Sequence, residues 1–277
     1  MNKNFKKALG LFAVAALALS GCSSNTAAKS DAKEDTLLIG ASPVPHAKIL
    51  EYVAKELAPK AGFKLEIKQY TDYVQPNTAL AEGDLDGNYY QHVPYLEKSE
   101  KDGGYDLSHG KGIHIEPLAL YSKSVKKVAD LKEGAKVGIT NDPSNQHRAI
   151  LLLESQGLLK LDPNVDEYTI HTGIVENPKK IEFVEADPAA LPRTLDSVDL
   201  AVVNCNFALE AGLSPAKDAV AVEEAKNNPY ANILARRADL SGEKLKLWEK
   251  LEELLHSDQV REYIKKTWSD GSVIPAF

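Results

Sequence analysis

The sequence predicts an α/β protein with two lobes. About 240 residues follow a polar N-terminal stretch, which is more than most single small domains contain. Short apolar runs alternate with helical patterns along this whole length, as in sheets whose strands are joined by helices. The last segment returns to amphipathic helices. This order indicates a first lobe that is interrupted by a second lobe and completed by the C-terminus.

The first lobe is expected over residues 36–120. Its first strand has a short apolar run that ends in small residues, as a buried parallel strand does. Pro45 then opens a helix, which Pro59 and Gly62 end. Asn77 is expected to cap a short helix that runs to Leu80. The strands expected here are residues 37–41, 63–67 and 85–90, and residues 113–121 form an extended crossover.

The second lobe is expected over residues 121–230, and residues 231–277 complete the first lobe. Strands are predicted at residues 136–140, 181–184 and 198–203. A helix with its apolar part at residues 149–153 follows the first of them and ends at Gly157. Residues 230–235 alternate again and would cross back to the first lobe. Two amphipathic helices then present apolar faces that include Trp248 and Trp268.

The N-terminus predicts an exported lipoprotein. Three lysines precede an apolar stretch over residues 8–19, which is short for a membrane span. Residues 19–22 read Leu-Ser-Gly-Cys, a lipobox pattern in which Cys22 is lipidated after removal of a signal peptide, residues 1–21. Two acyl chains are enough for stable anchoring. Residues 22–35 form a polar tether. An ordinary signal peptide and a signal anchor are the alternatives.

Cysteine content and charge agree with this location and limit the partners. With Cys22 used for lipid, Cys205 has no disulfide partner in the chain, and a buried inert thiol is its expected state. Residues 1–21 carry three lysines and no acidic residue, so their removal changes the net charge from −7 to −10. This acidity argues against a nucleic-acid partner. We expect a bacterial protein anchored to the extracytoplasmic face of the cell membrane.

Aromatic residues are concentrated in one stretch that has the composition of loops. Four tyrosines and a histidine fall between residues 73 and 95, although aromatic residues make up only 7% of the chain. Proline, glycine, asparagine and aspartate surround them, as in turns and helix caps. A loop-rich edge of the core and a ligand pocket both fit this composition. The pocket residues would be Tyr73, Tyr90, His92 and Tyr95.

Polar residues follow two strands of the predicted second lobe, and another lies on the strand that crosses back. Arg148 lies about one turn into a helix, where its guanidinium could meet a carboxylate with both nitrogens. Asn145 or Ser144 could instead cap that helix, and Arg148 could form a surface salt bridge. Asn204 ends a strand, where open α/β sheets hold ligands. Asn206 could cap the next helix, and Asn232 lies on the returning strand.

These blocks together resemble the methionine-binding lipoproteins, the NlpA family of solute-binding subunits of ABC importers. The resemblance rests on residues 71–80 and 89–95, on Asn-Asp-Pro-Ser-Asn-x-x-Arg at residues 141–148, on residues 202–208 and 229–233, and on the C-terminal residues 273–277. It implies a type II periplasmic-binding-protein-like fold with the ligand in the cleft between the lobes. It also implies that the protein binds methionine, most simply L-methionine, without a cofactor or catalysis.

The resemblance assigns the ligand contacts and the partners. The implied ligand-binding residues are Tyr73, Tyr90, His92, Tyr95, Asn145, Arg148, Asn204 and Asn232. The lobes would close about hinges near residues 117–122 and 228–232 and dock on a membrane permease driven by an ATPase. Tyr89, Tyr90, His147 and Cys205 depart from the commoner family pattern. A methionine-containing dipeptide or another apolar amino acid therefore stays open as the ligand.

Two rival functions come from other classes. A metal-binding receptor could use first-lobe histidines and carboxylates, although no HxxxH or HxH pair occurs. The residues considered for it are His46, His92, His109, His114, Glu116 and Asp86. An extracytoplasmic hydrolase would need an activated nucleophile, and the S-x-x-K match at residues 124–127 lacks its companion motifs. The sequence therefore favours a binding protein.

Overall fold

The computed structural model describes residues 35–277, so the predicted signal peptide, Cys22 and most of the tether lie outside the described residues. Within the described part, no helix combines the length and the apolar composition needed to cross a membrane. The strands belong to two larger sheets and a two-stranded ribbon.

The first sheet has six strands in the order β13-β4-β12-β3-β1-β2. The strands are β1 (Thr36–Ala41), β2 (Lys64–Gln69), β3 (Gly87–His92), β4 (Leu107–Ile115), β12 (Asn232–Arg237) and β13 (Ile274–Pro275). β1 pairs in parallel with β2 and β3, whereas β12 is antiparallel to both β3 and β4. β1 is buried along most of its length, as its continuous apolar run predicts.

The second sheet has five strands in the order β11-β5-β10-β6-β9. They are β5 (Ala119–Tyr121), β6 (Lys136–Thr140), β9 (Glu182–Ala186), β10 (Leu200–Val203) and β11 (Ala219–Val222). β6 pairs in parallel with β9 and β10, and β5 is antiparallel to β10 and β11. The ribbon consists of β7 (Lys160–Leu161) and β8 (Ile174–Glu176).

Helices cover both sheets, and most come from segments that the sequence predicts as amphipathic or strand-following. The helices at Val93–Gly103 and Pro215–Asp218 were not predicted. The α-helices are α1 (Lys48–Glu56), α2 (Gln75–Ala81), α3 (Val93–Gly103), α4 (Pro143–Ser155), α5 (Leu191–Thr194), α6 (Cys205–Glu210), α7 (Pro215–Asp218), α8 (Gly242–Leu255) and α9 (Asp258–Thr267). Short helical turns lie at Pro43–Ala47, Val128–Asp130 and Pro188–Ala190. Trp248, Leu251 and Ile264 of the last two helices pack in the same core cluster as Leu37 of β1.

The limits of the two lobes, residues 36–120, 121–230 and 231–277, stay a prediction. At the first limit, β4 belongs to the first sheet and β5 to the second, with three residues between them. At the return, β12 pairs with β3 and β4 of the first sheet. The chain therefore passes from one sheet to the other near residues 116–118 and again between β11 and β12.

Three suggested helix caps are wrong. Asn206 lies inside α6, and Asn204 holds the N-cap position of that helix. Asn77 lies inside α2 and is fully buried, where its amide donates to Gln91 and Ser99. The carboxylate of Asp72 instead accepts hydrogen bonds from the N–H groups of Val74 and Gln75 at the start of α2, both at 2.8 Å. At α4, neither Ser144 nor Asn145 is the cap. Asp142 holds that position because its carboxylate accepts from the Ser144 N–H at 3.0 Å.

Candidate ligand site

One small cavity, of about 20 Å³, brings the predicted site residues together. It lies where β3 leads into α3, where β6 leads into α4 and where β10 leads into α6. All eight residues predicted to bind a ligand line it: Tyr73, Tyr90, His92, Tyr95, Asn145, Arg148, Asn204 and Asn232. Gln91, Glu116, Cys205 and Asn206 line it as well. The structure thus brings the predicted set together, and the ligand contacts themselves stay a prediction.

Three tyrosines form the aromatic wall of the cavity, and Phe207 packs against one of them. The ring centre of Tyr73 lies 5.9 Å from that of Tyr90, 5.6 Å from that of Tyr95 and 4.8 Å from that of Phe207. The hydroxyls of Tyr90 and Tyr95 both donate to the backbone carbonyl of Tyr73 at 2.9 Å. The hydroxyl that Tyr90 adds to the expected pattern is therefore satisfied within the protein, so the wall presents ring surfaces to a ligand.

His92 connects the aromatic wall to the polar wall. It is the N-cap of α3, and its Nδ1 accepts from the Tyr95 N–H at 3.2 Å. Nδ1 is then unprotonated, so Nε2 carries the proton and donates to Asn145 Oδ1 at 3.2 Å. Burial, with a smaller contribution from the positive charge of Arg148, lowers the pKa of His92 to about 3. His92 is therefore a neutral donor with a fixed orientation.

The polar wall is a chain of amides at the starts of α4 and α6. Asn145 Oδ1 also accepts from Asn204 Nδ2 at 2.9 Å, and the Asn145 amide nitrogen donates to Asp142. Asn206 Oδ1 accepts from the Tyr73 hydroxyl at 2.5 Å. Asn206 Nδ2 is buried without a hydrogen-bond partner among residues 35–277. Because a buried amide N–H without an acceptor is costly, this group is available to an acceptor on a ligand.

Arg148 is buried and already has a carboxylate partner in the chain. Its Nε donates to Glu223 Oε1 at 2.9 Å, and its Nη2 donates to Glu223 Oε2 at 2.5 Å and to the Glu116 carbonyl at 2.8 Å. The Arg148 guanidinium also lies 4.4 Å from the ring centre of Tyr230. Arg148 therefore forms a largely buried, bidentate salt bridge with Glu223 in place of the expected surface salt bridge. Glu223 and the Glu116 carbonyl occupy the Nε and Nη2 edge of the guanidinium.

Beside Arg148 lies a cluster that joins His46, His114 and Glu116. Glu116 Oε1 lies 2.8 Å from His114 Nε2 and 3.1 Å from His46 Nε2. His46 Nε2 is also 3.0 Å from Asn232 Oδ1, and Tyr89 contacts His114 Nδ1 through its hydroxyl. Burial lowers the pKa of His46 to about 4 and that of His114 to about 3, so both rings are neutral. Burial also raises the pKa of Glu116, while His46 and Arg148 lower it.

The side-chain ligand atoms of this cluster all lie within 4.8 Å of one another, which is close enough to hold a metal ion. It is the group of this kind found among residues 35–277. Its hydrogen bonds argue against that use. A metal-bound histidine normally donates its other ring N–H to an acceptor. With Nε2 on a metal, His46 Nδ1 would be a buried donor without a partner. In the structure, the Nε2–H groups of His46 and His114 both donate to the Glu116 carboxylate.

The predicted candidates outside this cluster serve local structure. His109 is exposed and contacts the Gly110 carbonyl, and Asp86 forms an ion pair with Lys244 at 2.7 Å. Cys205 is buried, and its thiol donates to the Ser272 carbonyl at 3.3 Å. Burial raises the pKa of this thiol, in keeping with the expected inert state.

Sequence reasoning missed Glu223 as a partner at the site, and it considered Glu116 only as a possible metal ligand. His114 and Glu116 are two positions apart at the end of an extended strand, a spacing that places both on one face. That spacing was an available signal. Nothing in the sequence pairs them with His46, or pairs Arg148 with Glu223, which lies 75 positions away.

The family match decides the class of the protein. The NlpA lipoprotein family matches residues 37–277. The chain belongs to this family. It is 38% identical over 281 residues to the methionine-binding lipoprotein MetQ of Bacillus subtilis, covering 99% of each chain. It is 44% identical over 242 residues to outer membrane lipoprotein 2 of Mannheimia haemolytica, covering 85% of this chain and 87% of that protein.

A solved structure supports the same conclusion about the fold. The nutrient binding protein of Burkholderia cenocepacia, solved bound to methionine, is 41% identical. It superposes with a TM-score of 0.80 over 87% of this chain and all of that chain. The predicted two-lobed α/β fold of this NlpA-family protein is confirmed, and so is the family resemblance.

Proposed function

We propose that this protein is the lipid-anchored substrate-binding subunit of an ABC importer, that it captures L-methionine, and that it is not an enzyme. The observation that carries the proposal is the cavity itself, in which the aromatic wall faces a wall of asparagines beside Arg148. Relatives with the matching fold support it, since one is named as methionine-binding and another was solved bound to methionine.

The chemistry of the two walls matches the two ends of methionine. Thioether sulfur makes favourable contacts with aromatic rings, worth roughly 0.3–1.5 kcal/mol each, and Tyr73, Tyr90 and Tyr95 offer such rings. Arg148 and the free N–H of Asn206 suit a carboxylate, which accepts charge-assisted hydrogen bonds.

The binding cycle that we propose uses closure of the two lobes. Tyr73 contacts Asn206, and His92 contacts Asn145, across the cavity. These contacts would break when the lobes open about hinges near residues 117–122 and 228–232. The closed, loaded form would then dock on a permease that a cytoplasmic ATPase drives. Lipid on Cys22 would keep the protein at the extracytoplasmic face of the membrane.

Calorimetric titration tests the ligand. Protein beginning at residue 23, refolded to remove any bound molecule, is titrated with L-methionine, D-methionine, glycyl-methionine and Zn²⁺. We expect tight binding of L-methionine. Binding of the dipeptide alone would change the ligand and keep the class, and a response to zinc alone would refute the proposal. Cys22→Ser tests the anchor, because it should move the protein from the membrane fraction to the soluble fraction.

A further inference from the structure

The short helix α6 contributes to the cores of both lobes. Phe207 packs in the core cluster that β10 forms in the second lobe. Leu209 packs instead against the cluster that contains Leu37 of β1, in the first lobe. α6 also lies beside the helical turn at Pro43–Ala47, which follows β1. The second lobe therefore meets the first at this helix as well as at the two connections between the sheets.

Two hydrogen bonds join this part of the second lobe to the turn that follows α9. Ser214, just before α7, donates its hydroxyl to Asp270 Oδ2 at 2.9 Å. Asp270 Oδ1 accepts from the N–H and the hydroxyl of Ser272, at 3.1 and 2.7 Å, and so fixes the turn. The Ser272 carbonyl accepts from the Cys205 thiol at the start of α6. Val273, the next residue, lies in the first-lobe core, so this turn belongs to the first lobe.

The Ser214 hydroxyl serves this contact and not the local structure. Ser214 is the N-cap residue of α7, but its side chain makes no capping hydrogen bond there. Its backbone N–H donates to Asp218 at 2.7 Å, which holds the start of α7 without the hydroxyl. Lys217 of α7 also brings a positive charge near the Asp270 carboxylate.

The contact between Ser214 and Asp270 is separate from the ligand cavity and from the hinges. Neither residue is among those that line the cavity. Both also lie outside the connections between the sheets, at residues 116–118 and 223–231. Opening about these connections would displace Ser214 from Asp270, and a hydrogen bond is lost when it stretches by about 1 Å. The contact therefore depends on the position of one lobe relative to the other.

We infer that Ser214 and Asp270 form a latch that favours the closed lobes and raises the affinity for the ligand without touching it. The inference rests on the proposed function, because closure is a step of the binding cycle proposed above. A ligand that binds the closed form has an apparent Kd equal to the intrinsic Kd divided by the closed fraction. Each contact that favours closure therefore raises affinity, wherever it lies.

The test deletes the Ser214 hydroxyl and measures both lobe position and affinity. Full-length lipoprotein in detergent, refolded to remove bound ligand, carries spin labels at Lys101→Cys of α3 and Arg193→Cys of α5, two exposed positions. Pulsed electron paramagnetic resonance gives the distance between the labels with and without saturating L-methionine. We expect Ser214→Ala to lengthen the distance in ligand-free protein and to leave the saturated distance unchanged. Calorimetry should show a methionine affinity that is lower by roughly 2- to 12-fold, the range for the loss of one hydrogen bond.

Three further variants separate the latch from a general loss of stability. Ser197→Ala deletes a hydrogen bond within the second lobe, to the Thr194 carbonyl at 3.0 Å, and should change neither distance nor affinity. Ser214→Thr keeps a hydroxyl and should return both values toward wild type. In an Asp270→Ala background, Ser214→Ala should have no further effect, because its partner is already gone.

The outcomes distinguish the latch from the proposed function. Unchanged distance and affinity in Ser214→Ala would overturn the inference, and so would equal effects of Ser214→Ala and Ser197→Ala. A lower affinity with an unchanged ligand-free distance would overturn it as well, since the contact would then not act on closure. Wild type that does not bind methionine would overturn the proposed function alone, because the ligand-free distances test the latch whatever the ligand is.

Discussion

The buried pair of Arg148 and Glu223 provides the sharpest test of the structure. We expect Arg148→Met to lower the free energy of unfolding of the ligand-free protein. The change removes two hydrogen bonds to Glu223, one to the Glu116 carbonyl and the contact with Tyr230. The side chain of Arg148 is 4% exposed and that of Glu223 is 15% exposed, so a carboxylate without a partner would remain largely buried.

The magnitude follows from this geometry. Breaking a buried ion pair by removing one partner costs about 3–5 kcal/mol. Glu223 retains some contact with water, so we expect the lower end, about 3 kcal/mol. For a folded part of this size, each kcal/mol lowers the melting temperature by roughly 2–4 °C, which gives a decrease of about 6–12 °C.

The assay is urea-induced unfolding of four proteins: wild type, Arg148→Met, Glu223→Gln and the double variant. Ligand is removed first, because binding adds stability of its own. We expect the double variant to be less destabilised than the sum of the single variants, with a coupling energy above about 1.5 kcal/mol. Single changes that add within about 0.5 kcal/mol would refute the pairing.

Three other changes test the core, the aromatic wall and the buried histidines. Leu251→Ala should lower the free energy of unfolding in urea by about 2–5 kcal/mol, because Leu251 is fully buried. Leu245→Ala, on the half-buried side of the same helix, should lower it clearly less. Equal losses in the two variants would contradict the packing of α8. Tyr90→Phe should change methionine affinity by less than about threefold in calorimetry, since the hydroxyl is bound to the Tyr73 carbonyl, and a gain above tenfold would contradict this. Acid should destabilise the fold between pH 6.5 and about 4, because burial lowers the pKa of His46 to about 4 and the pKa values of His92 and His114 to about 3. The unfolded chain then binds more protons, and each histidine costs about 2 kcal/mol at pH 5, partly offset by Glu116, whose pKa is raised. Urea unfolding at pH 7 and pH 5 measures this, His92→Asn should reduce the difference, and equal stability at both pH values would contradict it.

Much of the secondary structure follows from local patterns. The predicted strand at residues 136–140 is β6 as observed, and the strand predicted at residues 37–41 begins one residue earlier. The other predicted first-lobe strands are shifted by one or two residues at their ends. Helix caps were harder to predict because several neighbouring residues can cap one helix. Asp142, Ser144 and Asn145 all have suitable side chains, and backbone geometry selects Asp142.

The candidate site likewise has features that follow from local sequence and features that only the tertiary structure sets. The chain itself determined that aromatic residues cluster before α3 and that amides follow β6 and β10, because strand ends and turn residues are local signals. The tertiary structure decided which of these side chains keep polar groups for a ligand. It paired the Tyr90 hydroxyl with a carbonyl and Arg148 with Glu223.

The cluster around Glu116 shows the limit of the sequence most clearly. His46 and Asn232 are 186 positions apart, yet their side chains are 3.0 Å apart. No periodicity along a chain encodes such a contact, since it depends on how β12 pairs with β3 and β4 in the first sheet. The sequence determined the family, the two-lobed fold and the residue types of the cavity. Only the folded chain decided where its charges are balanced, because burial and pairing exist only after distant segments meet.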